Sequence, residues 1–371
     1  MPVGLVCPAC GRAYDDRWRC TCGAPLDFAS LPRPDGPAPD FSAFDGRHGL
    51  WAFADFLPVE TPVSLGEGLT PLVDAPAWDA TFKLEYVSPT GSFKDRGAAT
   101  VISRAVDRGV GRVVEDSSGN AGAAIATYAA RAGLDADVYV PASVTPAKRR
   151  AIESTGARVI EIEGGREAVA EACRRAVERD AEPRSSPERA ASGGGWYASH
   201  AWNPAFFVGT ATFGIELAAQ RDWSVPDAVV VPLGHGTLLL GAYRGFRALV
   251  EAGWIDELPR LLAVQATGYA PVADDREGTA GDAATNDLAD GIQVRAPVRR
   301  DDIESALDAT DGTAVAVSAD AVRAALTDLR EAGFGVEPTA AVAPAGLRTY
   351  RDRGVVDADA DVVVPLTGRA K

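Results

Sequence analysis

The stretch "DAVVVPLGHGTLLLGAYRGFRALVEAG", residues 227–253, holds a strand, a glycine loop and a helix in one piece. Residues 227–233 form an apolar, β-branched run of strand length, and residues 237–253 carry apolar residues at helical spacing. The loop between them, "PLGHGTLLLG" (232–241), delivers small residues and free backbone N–H groups to a helix N-terminus. That arrangement holds phosphates and carboxylates without steric interference.

The same alternation runs along the chain. Strands are predicted at 81–86, 112–116, 136–140, 157–163, 260–266 and 361–366, in addition to 227–233. Helices are predicted at 93–109, 120–133, 166–180, 237–253 and 319–333. Strand and helix in turn mean an α/β protein with a mostly parallel sheet, whose site lies in loops beyond the carboxyl ends of its strands. Two further loops of that kind are "SPTGSFKDRG" (88–97) and "DSSGNAGAA" (116–124). Residues 181–195 read as a polar, glycine-rich crossing or mobile loop, and the acidic, irregular 271–290 as a lid.

The 371 residues are 46% hydrophobic, enough for a large core. Thirty-seven Lys and Arg against 52 Asp and Glu give a net charge of -15, which disfavours nucleic acid and anionic membranes as partners. Such an acidic chain suits a salt-rich cytoplasm, where screening relieves self-repulsion. There is neither a secretory signal pattern nor an apolar run of membrane-spanning length, so a cytoplasmic location is expected.

Four of the five cysteines stand in "CPACGRAYDDRWRCTCG", residues 7–23. Cys7 with Cys10 and Cys20 with Cys22 suit a structural, tetrahedral zinc site on two small turns, although Cys-x-Cys replaces the commoner Cys-x-x-Cys in the second pair. The ribbon-like segment is expected to span 1–28, followed by a proline-rich extended linker at 30–42.

Lys94 is one of only four lysines. Beside Phe93 and at a helix start, it feels desolvation and the positive dipole end, both of which favour the neutral amine needed for a Schiff base. No G-x-G-x-x-G, P-loop or G-x-S-x-G pattern competes, and His48, His200 and His235 are too scattered for a second metal site. A lysine beside several anion-binding loops suits pyridoxal phosphate.

Six stretches in order, "GEGLTPL" (66–72), "KLEYVSPTGSFKDRG" (83–97), "SSGNAGAAIATYAARAG" (117–133), "VVVPLGHGTLLLGAYRGF" (229–246), "VEPTAAVAPAGL" (336–347) and "VVVPLTGRAK" (362–371), resemble the fold-type II pyridoxal-phosphate enzymes and, within them, the threonine synthases. The resemblance implies two lobes, each with a mostly parallel twisted sheet flanked by helices, in a catalytic domain over 29–371 whose smaller lobe covers about 95–185. It implies that Lys94 bonds the cofactor covalently and then shuttles protons, and that Asn120 lies against the cofactor's 3'-oxygen. Gly234, His235, Gly236, Thr237 and Leu238 would cradle its phosphate, and Thr367 would hydrogen-bond its ring nitrogen. Ser117, Ser118 and Gly119 would receive the substrate carboxylate, while Thr90, Ser92, Arg96 and Lys148 would hold the leaving phosphate. For Arg96 an ion pair fixing the loop is the other reading.

The implied reaction converts O-phospho-L-homoserine and water to L-threonine and phosphate, in a homodimer by analogy. Departures exist. Ser88 replaces Asn before Pro-Thr-Gly, and "VGTATFGIEL" (208–217) lacks an expected lysine. His235 replaces Gly or Asn, and "LADGIQVRAP" (288–297) is similar to threonine or serine dehydratases. A dehydratase-like or cysteate-synthase-like lyase is the alternative, and a catalytically silent binding protein a further one.

Overall fold

The computed structural model describes residues 3–181, 195–277 and 284–370. The chain forms two compact units: Met1–Pro32, Phe56–Glu67 and Lys94–Gly209 in the first, and Arg33–Asp55, Gly68–Phe93 and Thr210–Lys371 in the second.

The first unit contains a four-stranded sheet in the order Arg158–Ile162, Asp135–Pro141, Arg112–Glu115, Trp196–Tyr197, with every pairing parallel. Helices follow the strands because each run that ends in a polar loop resumes with helical spacing. Arg112–Glu115 leads into Asn120–Ala132, which Gly133 closes in the left-handed conformation at φ 70°. The cysteine segment belongs to this unit as a three-stranded antiparallel sheet, Ala13–Tyr14, Leu5–Val6, Asp27–Phe28, around buried Leu5, Cys7, Cys20 and Leu26. Trp18 fastens it to the sheet, standing edge-on to Tyr197 at 5.3 Å and to Trp202 at 5.0 Å. Trp196 Nε1 donates to Asp16 at 2.7 Å, and buried Arg104 donates to the carbonyl of Val3 at 3.2 Å.

The second unit has a six-stranded sheet in the order Thr313–Val317, Arg260–Ala266, Ala228–Pro232, Val362–Pro365, Ala80–Lys83, Leu72–Ala75. Only the last pair is antiparallel. Central strands are continuous apolar runs because both faces are covered: Val229, Val230 and Val231 are each fully buried. Residues 30–42 lack regular structure up to the short turn Phe41–Ala43, yet Trp254 and Trp223 hold them by donating to the carbonyls of Gly36 (2.9 Å) and Pro39 (2.7 Å).

Several expectations shift. The strand expected over 81–86 ends at Lys83, where Glu85–Val87 turns and the Tyr86 N–H donates to Leu366. The helix Pro204–Ala219 escapes sequence reading because it is apolar all round and almost wholly buried, so no amphipathic period marks it. Residues 271–290 are not wholly irregular: Pro271–Glu277 is helical, with Val272 and Ala273 buried. Residues 278–283, and most of the expected crossing at 181–195, lie outside the described residues.

Candidate functional site

Lys94 opens the helix Lys94–Asp107 and is half-buried. The chain just before it is tied to the C-terminal segment. Phe93 N–H donates to Thr367 O at 3.1 Å, Ser92 bridges Gly368, and Arg369 N–H donates to Gly91 O at 2.8 Å. Gly91 makes this turn at φ 88°, a conformation costly for any residue with a Cβ. Ser92 is therefore buried and fixed by backbone pairing, with Thr90 half-buried beside it.

Behind Lys94 the helix packs closely on Pro204–Ala219. A Cβ on Gly97 would stand 2.3 Å from the Phe206 ring, and one on Gly209 would stand 2.1 Å from the Arg96 carbonyl. Asp95 and Arg96 are fully buried, in a polar group with Glu67 and with Tyr128, whose hydroxyl donates to Glu67 at 2.7 Å. Lys148 sits half-buried on the helix Pro146–Glu153, whose first turn Thr145 caps.

The second loop follows Arg112–Glu115. Ser117 Oγ accepts the Gly119 N–H at 3.2 Å, and Gly119 leads into the helix from Asn120 with no side chain capping its amides. Gly122 is required there, since a Cβ would lie 1.8 Å from the Ser117 carbonyl. Ser117, Ser118, Gly119 and Asn120 are all half-buried.

Directly before this loop is a pair that the sequence reading missed. Fully buried Glu115 accepts the His200 backbone N–H at 3.2 Å and faces His200 Nδ1 at 2.7 Å. Burial pushes the Glu115 carboxyl up to about 8, against the pull of the His200 N–H and the Lys94 charge. Burial and the same Lys94 charge bring the His200 imidazole down to about 3. Asp116 is raised by burial and by the neighbouring Glu115 charge. Burial thus favours the uncharged form of both partners in this contact. The available signal was "VVED": a carboxylate ending an otherwise buried strand.

In the second unit, Gly234 to Leu238 follow strand Ala228–Pro232, and Thr367 follows its parallel neighbour Val362–Pro365, so both stand at carboxyl ends of adjacent strands. Gly236 takes φ 78°, and a Cβ there would approach Ile303 to 2.7 Å. No side chain caps the helix Thr237–Ala252, and Thr237 and Leu238 are buried while His235 is half-buried. The Thr367 hydroxyl is buried with no hydrogen-bond partner among the described residues. A buried, unpaired hydroxyl is costly unless something bonds it.

Both implied groups can be tested against these residues. An uncapped glycine loop and an unsatisfied hydroxyl at adjacent strand ends fit a phosphorylated pyridine. In the cysteine segment the four sulfurs lie within 4.8 Å of one another, with Cys7 to Cys22 at 3.6 Å and Cys10 to Cys20 at 3.5 Å. Tetrahedral zinc requires about this spacing, given Zn–S bonds of about 2.3 Å. Desolvation raises the Cys20 thiol, but the Cys22 N–H and the Tyr14 hydroxyl outweigh it and lower the thiol to about 5.

The chain is 34% identical over 333 residues to a threonine synthase of Methanosarcina acetivorans, an alignment covering 86% of this chain and 79% of that protein. With a threonine synthase of Methanocaldococcus jannaschii it shares 29% over 382 residues, covering 98% and 91%. Among solved structures, an L-serine ammonia-lyase from the fungus Rhizomucor miehei superposes with a TM-score of 0.68 at 25% identity, covering 84% of this chain and 95% of that one. No helix among the described residues is long and apolar enough to cross a membrane. Residues 63–368 match the profile of the pyridoxal-phosphate dependent enzymes, and the chain belongs to that family.

Proposed function

We propose that this enzyme is a threonine synthase, converting O-phospho-L-homoserine and water to L-threonine and phosphate. The observation that carries the reading is the match to threonine synthases over most of the length of both chains. The cofactor, when bound, supplies an electron sink for charge developing on the substrate carbons. Lys94 holds it and moves protons at its Nζ. Gly234, His235, Gly236, Thr237 and Leu238 present amides to its phosphate, Thr367 Oγ1 bonds its ring nitrogen, and Asn120 orients its 3'-oxygen. Ser117, Ser118 and Gly119 receive the substrate carboxylate. Thr90, Ser92 and Lys148 are the groups assigned to the leaving phosphate, with Arg96 in support.

A second reading, a serine or threonine dehydratase, draws on the ammonia-lyase likeness and on the absence of an expected lysine from residues 208–217. The deciding assay supplies O-phosphohomoserine and, separately, threonine. Equal amounts of phosphate and threonine from the first support synthase. 2-Oxobutyrate from the second, with no phosphate from the first, overturns it.

The domain reading keeps residues 1–28 as a structural zinc ribbon and 29–371 as catalytic. One zinc per chain in protein purified under reducing conditions supports this, and metal-free protein of unchanged stability refutes it. The reading also keeps a homodimer, on analogy, and a cytoplasmic location.

A further inference from the structure

We propose that Glu115 and His200 are a neutral, proton-sharing pair that positions the Ser117–Asn120 loop and sets the charge beside Lys94. The inference rests on the reading that Lys94 holds the cofactor. Both are positioning residues, acting through Lys94 and the loop.

The geometry supports a single rigid unit. Glu115 ends its strand and is gripped twice by His200, through the backbone N–H at 3.2 Å and the ring Nδ1 at 2.7 Å. His200 is held in turn. Trp196–Tyr197 pairs in parallel with Val113 and Val114, and the Ala198 N–H continues that pairing to the Val114 carbonyl at 2.8 Å. Ser199 Oγ reaches Asp116 at 3.4 Å. The two residues thus close the base of the loop that begins at Ser117.

Charge decides how many protons the pair carries. Lys94 on the helix Lys94–Asp107 and Arg166 at the start of Arg166–Ala181 oppose an imidazolium. Asp116, next in the chain, and burial oppose a second carboxylate charge. The Tyr197 hydroxyl and the Cys173 thiol also face these acids and are themselves held protonated, so neither relieves the pair. A proton shared between Oε1 and Nδ1 meets all of these constraints with no net charge. The pair becomes anionic only when Glu115 releases its proton, at about 8. An anion there favours the charged ammonium of Lys94, so less neutral amine is available to accept a proton.

The test uses holoenzyme with nitrogen-15-labelled histidine, whose three imidazoles are assigned through His200→Gln. The expected result is a His200 ring that stays uncharged well below the ordinary imidazole range of about 6.5 and changes near pH 8. That change is absent in Glu115→Gln. In the same variant the alkaline limb of kcat moves up by about one pH unit or more. A His200 ring that charges near pH 6.5, or a change near pH 8 that persists in Glu115→Gln, overturns the proposal. So does an unmoved alkaline limb in folded Glu115→Gln. Should Glu115→Gln fail to fold, the wild-type His200 titration decides alone. Failure of the cofactor reading would look different: wild-type protein without visible absorbance at any pH.

Discussion

Two buried acid–base pairs, one in each unit, show how differently proteins use the same ingredients. In the second unit Lys83 and Glu216, both fully buried, form an ion pair. Lys83 Nζ also donates to Gln220 Oε1 at 2.7 Å and Thr70 O at 3.0 Å, so all three of its protons are placed. Glu216 accepts the backbone N–H groups of Leu69 and Thr70 at 2.8 Å each, which secures Leu69 in a left-handed conformation at φ 47°. The Glu115–His200 pair lies within the field of Lys94, and burial raises the Glu115 carboxyl to about 8. Three placed ammonium protons make the first pair structural, and burial within the field of Lys94 makes the second responsive to pH.

The largest expected effect breaks the first pair. Lys83→Met leaves Glu216 buried without its countercharge and should cost about 3–5 kcal/mol in denaturant unfolding. Replacing both partners with apolar residues should restore much of that loss.

The second pair should instead reveal itself through pH. Relative to ordinary carboxyl and imidazole values of 4.5 and 6.5, Glu115 is raised to about 8 and His200 lowered to about 3. Between pH 3 and 6.5 the unfolded chain binds more protons at His200, so that residue's contribution to stability grows as pH rises. Between 4.5 and 8 the folded chain binds more at Glu115, so its contribution falls. The two slopes oppose each other from 4.5 to 6.5, and a loss remains from 6.5 to 8. Wild-type protein should lose up to about 2 kcal/mol over that last interval relative to Glu115→Gln. Unfolding midpoints measured across pH 6–9 check this, and parallel curves would place Glu115 with the structural pair.

The smallest expected effect on stability is Thr367→Val. The hydroxyl has no partner among the described residues, so thermal unfolding without cofactor should change by less than about 0.5 kcal/mol. Its visible spectrum with cofactor bound should nonetheless shift, because the bond to the ring nitrogen is gone. A large destabilisation without cofactor would mean that the hydroxyl has a structural partner.

The contrast also explains what was legible in the sequence. Strand–loop–helix units such as 227–253 announce themselves by changing period at a glycine, and the same glycines mark the candidate phosphate loop. Lys94 is legible because lysine is rare here and its neighbours are not surface residues. The helix Pro204–Ala219 is not legible, since uniform burial erases its period, and the strands Leu72–Ala75 and Thr313–Val317 are not read from the sequence. Glu115 and His200 stand 85 residues apart. Their significance arises only when parallel pairing brings Trp196–Tyr197 beside Val113 and Val114.

Lys94, and not the fully buried Lys83, is the lysine proposed to carry the cofactor. Borohydride reduction of the yellow holoenzyme, followed by peptide mass spectrometry, tests it directly, because Lys83, Lys94, Lys148 and Lys371 are the only candidates. The account predicts a pyridoxyl adduct on Lys94 alone, with its loss in Lys94→Ala. An adduct on Lys83 or Lys148, or one that survives Lys94→Ala, would contradict it.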